Sequence, residues 1–441
     1  MKKVFITTLG CKVNQYESAS FKAGFKDAGL TIAGKNEPAD IVIINSCTVT
    51  GSASAQSRQT IRKMARNNPD AKIIVTGCYA EVAADELAKE KELIGRDYTL
   101  IGNAKKDILV TSALEDFDAT TKIILGSIKG AKEICDLPVR KFGDRSRAYL
   151  RIQDGCGSFC SYCIVPYTRG PSRSLDPIKA LQQAKVFAEE GHKEIVLTGI
   201  HIGYYGRDLE GKNTIVTLID QLSLSTPDLQ YRISSLEPTE ITDELLQLMV
   251  DRPNIQHHLH IPLQSGHDEI LKRMNRRYNT ATFKDIVNKC KKYLPDAAIG
   301  IDILAGFPGE TDEQFQEALD FLKDLDFTYL HVFPYSIRPG TPAATFPDQV
   351  AKNIKEQRVA KLRELSDYKR DAFYTNQLQQ TVTVLVEGKR DEAGLLKGFS
   401  DNYVALRFEG DDTLINQRVQ VKIEALVNNY VQGEFIGSNE S

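Results

Sequence analysis

Cys156, Cys160 and Cys163 lie on one short loop, Asp154-Gly155-Cys156-Gly157-Ser158-Phe159-Cys160-Ser161-Tyr162-Cys163. Thiolates spaced C-x-x-x-C-x-x-C on a glycine- and serine-rich loop can converge on one small object, because glycine lets the backbone wrap closely. Three sulfurs suit three corners of an iron–sulfur cluster whose fourth corner stays open. A zinc ion completed by a distant His or Cys is the competing reading of the same spacing. A disulfide does not account for the loop, since three is odd. The start Met1-Lys2-Lys3-Val4-Phe5-Ile6 also lacks the long apolar stretch and small-residue cleavage site of a secretory signal.

A second trio is scattered along the first third of the chain. Apolar, β-branched runs at residues 4–10, 39–46 and 72–77 lead into Cys11, Cys47 and Cys78. Runs of this kind suit parallel strands buried on both faces. Helical stretches at 15–28, 53–67 and 82–91 separate them, which gives a doubly wound α/β domain over residues 1–133. Parallel strands share one carboxyl edge, where ligands bind. The three cysteines are therefore expected to meet there and hold a second cluster, the competing reading being three buried structural thiols. Cys135 and Cys290 are expected to have no ligand role.

Residues 134–146 read as an extended linker. Strands expected near 148–153, 194–198, 231–234, 258–262, 299–304 and 329–333 then alternate with helices near 177–190, 215–224, 243–250, 283–293 and 312–325, within a core of 147–375. Six strand–helix units fall short of an eightfold barrel, whose active-site residues sit at the carboxyl ends of its strands. After a charged helix at 353–373 the period changes to two. Strands at 381–386, 403–408 and 419–423 make 376–441 a small antiparallel β-barrel of OB-like design.

The 441-residue chain carries eight cysteines and a net charge of −3. No apolar run approaches a membrane span, so no membrane partner is expected and the protein is read as cytoplasmic. In a reducing compartment eight cysteines argue for metal ligation. A protein that coats nucleic acid would be basic overall, so any RNA contact must come from local patches. Candidates are Arg62 and Arg66 on the second helix, Arg145 and Arg147 ahead of the cysteine loop, and Arg169 and Arg173 just past it, with Lys272, Arg273, Arg276 and Arg277 as a further cluster. The last segment has six Lys+Arg against ten Asp+Glu, so RNA binding there would need one basic face.

The C-x-x-x-C-x-aromatic-C loop, with Tyr162 before its last cysteine, resembles the signature of the radical-SAM enzymes. The segments Thr8-Leu9-Gly10-Cys11-Lys12-Val13-Asn14-Gln15-Tyr16-Glu17-Ser18, Asn45-Ser46-Cys47-Thr48-Val49-Thr50 and Thr76-Gly77-Cys78 resemble the N-terminal domain of the methylthiotransferases within that superfamily. The C-terminal barrel resembles a TRAM domain, an RNA-binding module. The resemblance implies a partial (β/α)6 radical-SAM barrel between the two outer domains. It also implies two 4Fe–4S clusters, S-adenosyl-L-methionine at two molecules per turnover, an external electron donor and a sulfur source. In the superfamily the open iron binds the cofactor's amino and carboxylate groups, and one electron releases a 5′-deoxyadenosyl radical. Strand-end residues Thr198, Gly199, Ser234, Glu237, Gln264, Gly300, Asp302 and Gly306, with Tyr162, are the implied cofactor contacts; plain turns are the alternative for each.

Family members modify tRNA or a ribosomal protein. The Leu9–Asn14 segment is most similar to the branch that places a methylthio group on carbon 2 of N6-threonylcarbamoyladenosine beside the tRNA anticodon. The same chemistry on isopentenyl-adenosine tRNA or on a ribosomal-protein aspartate stays open. So does, more distantly, a non-catalytic RNA-binding protein with structural zinc.

Overall fold

Aliphatic side chains on both faces of the first strands produce a parallel sheet covered on both sides. The structure is a computed structural model that describes residues 1–35, 37–115, 122–143 and 145–438. Asp144, at the end of the expected linker, lies outside the described residues. The sheet contains β1 (Lys3–Thr8), β2 (Thr31–Ile32), β3 (Ile41–Ser46), β4 (Lys72–Gly77), β5 (Tyr98–Ile101) and β6 (Lys122–Ile124), in the order β2-β1-β3-β4-β5-β6. All six residues of β3 and of β4 are buried. The short strands β2, β5 and β6 were not anticipated from the sequence.

The expected first two helices form as Lys12–Asp27 and Gly51–Asn67. The helix expected at 82–91 does not. Two short turns, Cys78–Val82 and Ala84–Leu87, replace it, broken at Ala83 with φ −121°. That stretch has too few apolar positions to bury a longer helix, and helices of this length take their stability from packing.

In the core, β7 (Arg147–Arg151) leads into the cysteine loop, which is framed by the antiparallel pair β8 (Gln153–Asp154) and β9 (Arg173–Ser174). β10 (Glu194–Thr198), β11 (Gln230–Ile233), β12 (His258–Gln264), β13 (Ala298–Ala305) and β14 (Tyr329–Pro334) follow. Two parallel three-stranded sheets, β7-β10-β11 and β12-β13-β14, meet at a bridge between Tyr231 and Ile255. This is the expected six-strand partial barrel. Each of its outer helices, Pro177–Glu189, Ile215–Ser225, Asp243–Asp251, Thr280–Tyr293 and Asp312–Asp324, starts at a capping side chain: Asp176, Thr214, Thr242, Asn279 or Thr311. Each cap accepts an otherwise orphaned N–H and contributes about 1 kcal/mol.

The helix Lys352–Thr375 leads to a closed barrel of β15 (Thr381–Val386), β16 (Leu396–Ser400), β17 (Ala405–Phe408), β18 (Arg418–Val427) and β19 (Tyr430–Ser438), ordered β15-β16-β17-β19-β18. Its neighbouring strands are antiparallel except for the parallel β17–β19 pair. Glycines at 398, 433 and 437 hid β16 and β19 from the period-two pattern.

The units are docked by specific contacts. One apolar core runs from Val4, Tyr16 and Phe21 to Leu150, Phe187 and Ile195. Ser336 Oγ accepts from the Gly51 amide at 2.8 Å, and Arg338 donates to Thr48 and Ser54 at 2.9 Å each. At the other end, Arg147 pairs with Glu387 at 2.8 Å and His258 stacks on Tyr403 at 4.3 Å.

Candidate active site between two cysteine trios

The cysteine loop begins at Gly155, whose φ of +75° only glycine adopts freely and where a Cβ would fall 1.9 Å from the Pro171 carbonyl oxygen. The loop is held from outside: the Ser161 amide donates to the Met274 carbonyl at 3.0 Å and Asn275 donates to the Phe159 carbonyl at 3.0 Å. Cys156 Sγ lies 3.5 Å from His201 Nδ1, and His201 Nε2 lies 2.6 Å from Glu240. Arg276 donates to Cys160 Sγ at 3.1 Å and ion-pairs with Glu237. Burial pushes the Cys163 thiol up to about 12, with the neighbouring Cys160 adding to it.

The second trio gathers at the carboxyl edge of the first sheet. Gly10, at φ +92°, leaves no room for a side chain, since a Cβ would sit 2.8 Å from both Cβ and Sγ of Cys47. At Gly77 a Cβ would strike the Ser46 carbonyl oxygen at 2.3 Å. Both glycines therefore let Cys11, Cys47 and Cys78 approach. Cys47 and Cys78 are buried and Cys11 is exposed. Burial, helped by the neighbouring Cys78 and Cys11, raises the Cys47 thiol to about 11. Metal binding must displace such protons, so loading is pH-dependent.

The two trios are joined through Arg169, which is buried. Its Nε donates to Cys78 Sγ at 3.3 Å, Nη1 to Asp154 at 2.9 Å and Glu17 at 3.1 Å, and Nη2 to Asn14 at 2.6 Å. Asp154 opens the cysteine loop, and Glu17 and Asn14 belong to the helix that follows Cys11. Burial alone would raise Glu17, but Arg169, Lys106 and Arg151 outweigh it and hold its carboxyl at about 2. Asp154 is likewise held well below the usual carboxylate range against the effect of burial, by Arg169, Arg173 and Arg151.

All eight cysteines are free of disulfides. Among the described residues, the one group of three or more His, Cys, Asp or Glu donors that all lie within 4.8 Å of one another is His260, Asp302 and His331. Neither cysteine trio is drawn that tight. Cys290 is buried in the apolar core, and Cys135 lies 3.5 Å from the Asn103 carbonyl oxygen.

The expected cofactor contacts are placed unevenly. Glu237 lines a cleft of about 160 Å³ with Cys160, His201, Glu240, Arg276 and Tyr278. Thr198 is buried at the end of β10, and at Gly199 a Cβ would meet Gln153 and Ile202 within 2.9 Å. Ser234 Oγ is buried without a hydrogen-bond partner, which fits a polar group still to be received. Gln264 sits at a bulge with φ +72°. Asp302 Oδ1 lies 3.2 Å from His260 and 3.5 Å from His331. Tyr162 packs partly buried against the Phe307 and Tyr335 cluster. At Gly300 and Gly306 the space for a side chain is filled by the Tyr329 ring and the Lys355 stem, so glycine there meets a packing requirement.

The basic candidates divide. Arg62 and Arg66 are exposed, with Arg62 paired to Glu90 at 3.0 Å, and exposed Arg145 donates to Gln15 at 2.8 Å. Arg147, Arg169 and Arg173 are corrected: they do not face outward. Arg147 is engaged by Glu194 and Glu387, and Arg169 and Arg173 are buried on Asp154. Density of positive charge in the sequence cannot separate a phosphate grip from internal neutralisation of buried acids. Arg276 is corrected in the same way, since it lies on Cys160. His201 lies beside Cys156.

A profile of the radical SAM superfamily matches residues 150–322, and one described as uncharacterized protein family UPF0004 matches residues 3–95. The chain is 40% identical over 442 residues to the threonylcarbamoyladenosine tRNA methylthiotransferase MtaB of Bacillus subtilis (strain 168), covering 99% of this chain and 97% of that protein. It is 37% identical to the Aquifex aeolicus (strain VF5) protein of the same name, covering 92% and 97%. It is 32% identical to the tRNA-2-methylthio-N(6)-dimethylallyladenosine synthase of Pelotomaculum thermopropionicum, covering 96% and 95%. The solved radical S-adenosylmethionine methyltransferase TsrM from Kitasatospora setae shares the fold, with a TM-score of 0.56 at 13% identity over 78% of this chain and 74% of that one. With relatives matched from end to end and the radical SAM profile over its core, the chain belongs to the radical-SAM tRNA methylthiotransferase family.

Proposed function

We propose that this enzyme places a methylthio group on carbon 2 of N6-threonylcarbamoyladenosine next to the tRNA anticodon. Cys156, Cys160 and Cys163 would hold one 4Fe–4S cluster and Cys11, Cys47 and Cys78 a second. Bound S-adenosyl-L-methionine and the clusters supply the radical and the methylated sulfur, two cofactor molecules being used per turnover. The observation that carries this reading is Arg169, which links a sulfur of one trio to the carboxylate that opens the other trio's loop.

The chain's own residues do the positioning. Arg276 and His201 place N–H groups against Cys160 and Cys156, a hydrogen-bonding pattern that tunes cluster potential. Ser234 and Glu237 offer polar atoms at strand ends where the cofactor's polar groups can be received. Arg62, Arg66 and Arg145 face outward, where tRNA phosphates can be met. An external electron donor, a sulfur source and action in the cytoplasm complete the reading. It gains support from the substrate carried in the names of the Bacillus and Aquifex relatives.

Nucleoside mass spectrometry of tRNA from cells lacking this gene tests the proposal. Loss of the methylthio nucleoside with accumulation of N6-threonylcarbamoyladenosine is expected. Loss of the methylthio isopentenyl form instead would assign the enzyme to the other tRNA substrate.

A further inference from the structure

The strands β12, β13 and β14 present two unlike faces. Leu259, Ile261, Ile301, Ile303, Leu330 and Val332 are buried in the apolar core shared with the outer-helix residues Phe283 and Leu322. Side chains alternate along a strand, so His260, Asp302 and His331 share the opposite face, inside the barrel. Asp302 is registered directly against His331, and His260 against Gly300, two residues before Asp302. Asp302 Oδ1 lies 3.2 Å from His260 Nε2 and 3.5 Å from His331 Nδ1, and one ligand atom from each of the three residues lies within 4.8 Å of the other two. Bonds of about 2.0–2.1 Å at a tetrahedral angle put neighbouring ligand atoms roughly 3.3 Å apart. The spacing on Asp302 therefore already suits a single ion.

His260 Nε2 is buried and makes no hydrogen bond, so its ring is not aligned to donate to Asp302. A buried nitrogen left unpaired beside a carboxylate and a second imidazole calls for a further partner. The other ring nitrogen, Nδ1, lies 2.6 Å from Ser235 Oγ. With Nδ1–H donating to that hydroxyl, Nε2 carries the lone pair, as in a metal-bound imidazole whose second nitrogen is held by an outer partner. His331 is half-exposed, which leaves an ion a way in.

We propose that His260, Asp302 and His331 bind one divalent transition-metal ion inside the barrel. Two imidazoles and a carboxylate suit zinc or ferrous iron, whereas calcium and magnesium take oxygen ligands. Three protein ligands leave a further position for water or for an oxygen of a bound molecule. Asp302 is then a ligand of the ion and not a contact of S-adenosyl-L-methionine. The site uses no cysteine, so it stands apart from both trios and from the substrate reading above.

The test uses the full chain with both clusters reconstituted anaerobically and dialysed against micromolar zinc, zinc and iron being counted by elemental mass spectrometry. Wild type is expected to hold about one zinc per chain besides its iron, and X-ray absorption at the zinc edge to report nitrogen and oxygen ligands at about 2.0–2.1 Å instead of sulfur at about 2.3 Å. H331A and D302N should weaken zinc binding by more than about 100-fold, and S235A, which loses only the hydrogen bond to His260, by about 10- to 100-fold. H258Q, on the same strand face but outside the three, should bind zinc as wild type does. Iron content and melting temperature, followed in every variant, separate a lost ligand from a lost fold, and H331A, changed at a half-exposed position, is expected to keep both. Zinc bound equally by wild type, H331A and D302N, zinc held by sulfur, or no uptake by wild type would overturn the proposed site. None of these results decides which nucleotide is modified, which the nucleoside analysis settles separately.

Discussion

Arg169 donates from Nε to the sulfur of Cys78 across 3.3 Å, although 91 residues separate them. The same guanidinium reaches Asp154, two residues before Cys156, so one side chain spans the two trios. Opposing charges neutralise it: Glu17, Asp154 and the hydrogen-bond acceptor Asn14 take its donors.

Replacing Arg169 with methionine leaves two buried carboxylates short of a partner. A loss of about 3–5 kcal/mol of stability is expected, the cost of breaking a buried ion pair from one side. The denaturation midpoint of the apo-protein measures it. Adding D154N should restore part of the loss, and equal stability of R169M and wild type would show that the link carries no load.

Substitutions in each trio should act on iron separately. C78A and C160A are each expected to abolish methylthiolation. Only C160A should also abolish reductive cleavage of S-adenosylmethionine, because the proposed function assigns the cofactor-binding cluster to its trio. Full turnover by either variant contradicts the assignment.

The sequence made the two trios, the three-unit order and the six core strands legible because each depends on local pattern. Spacing identifies the loop of Cys156, Cys160 and Cys163, and β-branched runs ending in cysteine identify Cys11, Cys47 and Cys78. Pairing between distant residues was not legible. Arg169 and Arg276 read as phosphate contacts because a positive charge in sequence carries no address, and only the fold shows that Cys78, Cys160 and buried acids surround them. Gly300 read as a cofactor contact at a strand, where the structure shows the Tyr329 ring against it. Lys106, buried on Glu17, had no sequence signal at all.

His258 should make stability depend on pH. Burial between the core and the C-terminal barrel, reinforced by Arg232 and neighbouring histidines, holds its pKa well below the usual 6.5. The unfolded chain then binds the proton more readily, so the contribution is present above about pH 6.5 and is lost as pH falls below it. The loss approaches about 1.4 kcal/mol per pH unit in that window. Melting temperatures of wild type and H258Q between pH 5.5 and 7.5 should diverge accordingly, with the shallower acid slope in the variant. Parallel curves would place the titrating group elsewhere.

Charge reversal at Arg62 and Arg66 should weaken tRNA binding without changing which nucleotide is modified. Each lost phosphate contact is expected to reduce the slope of log affinity against log salt by about one. Filter binding at several salt concentrations measures this; an unchanged slope would mean that this helix face meets only solvent.

The central claim is that two thiolate trios each hold a cluster in a shared interior. Iron and acid-labile sulfide after anaerobic reconstitution test it most directly, in wild type, in C11A/C47A/C78A and in C156A/C160A/C163A. About eight irons per chain are expected in wild type and about four in each triple variant. Four irons in wild type, unchanged by removal of Cys11, Cys47 and Cys78, or a colourless zinc protein, would contradict the account.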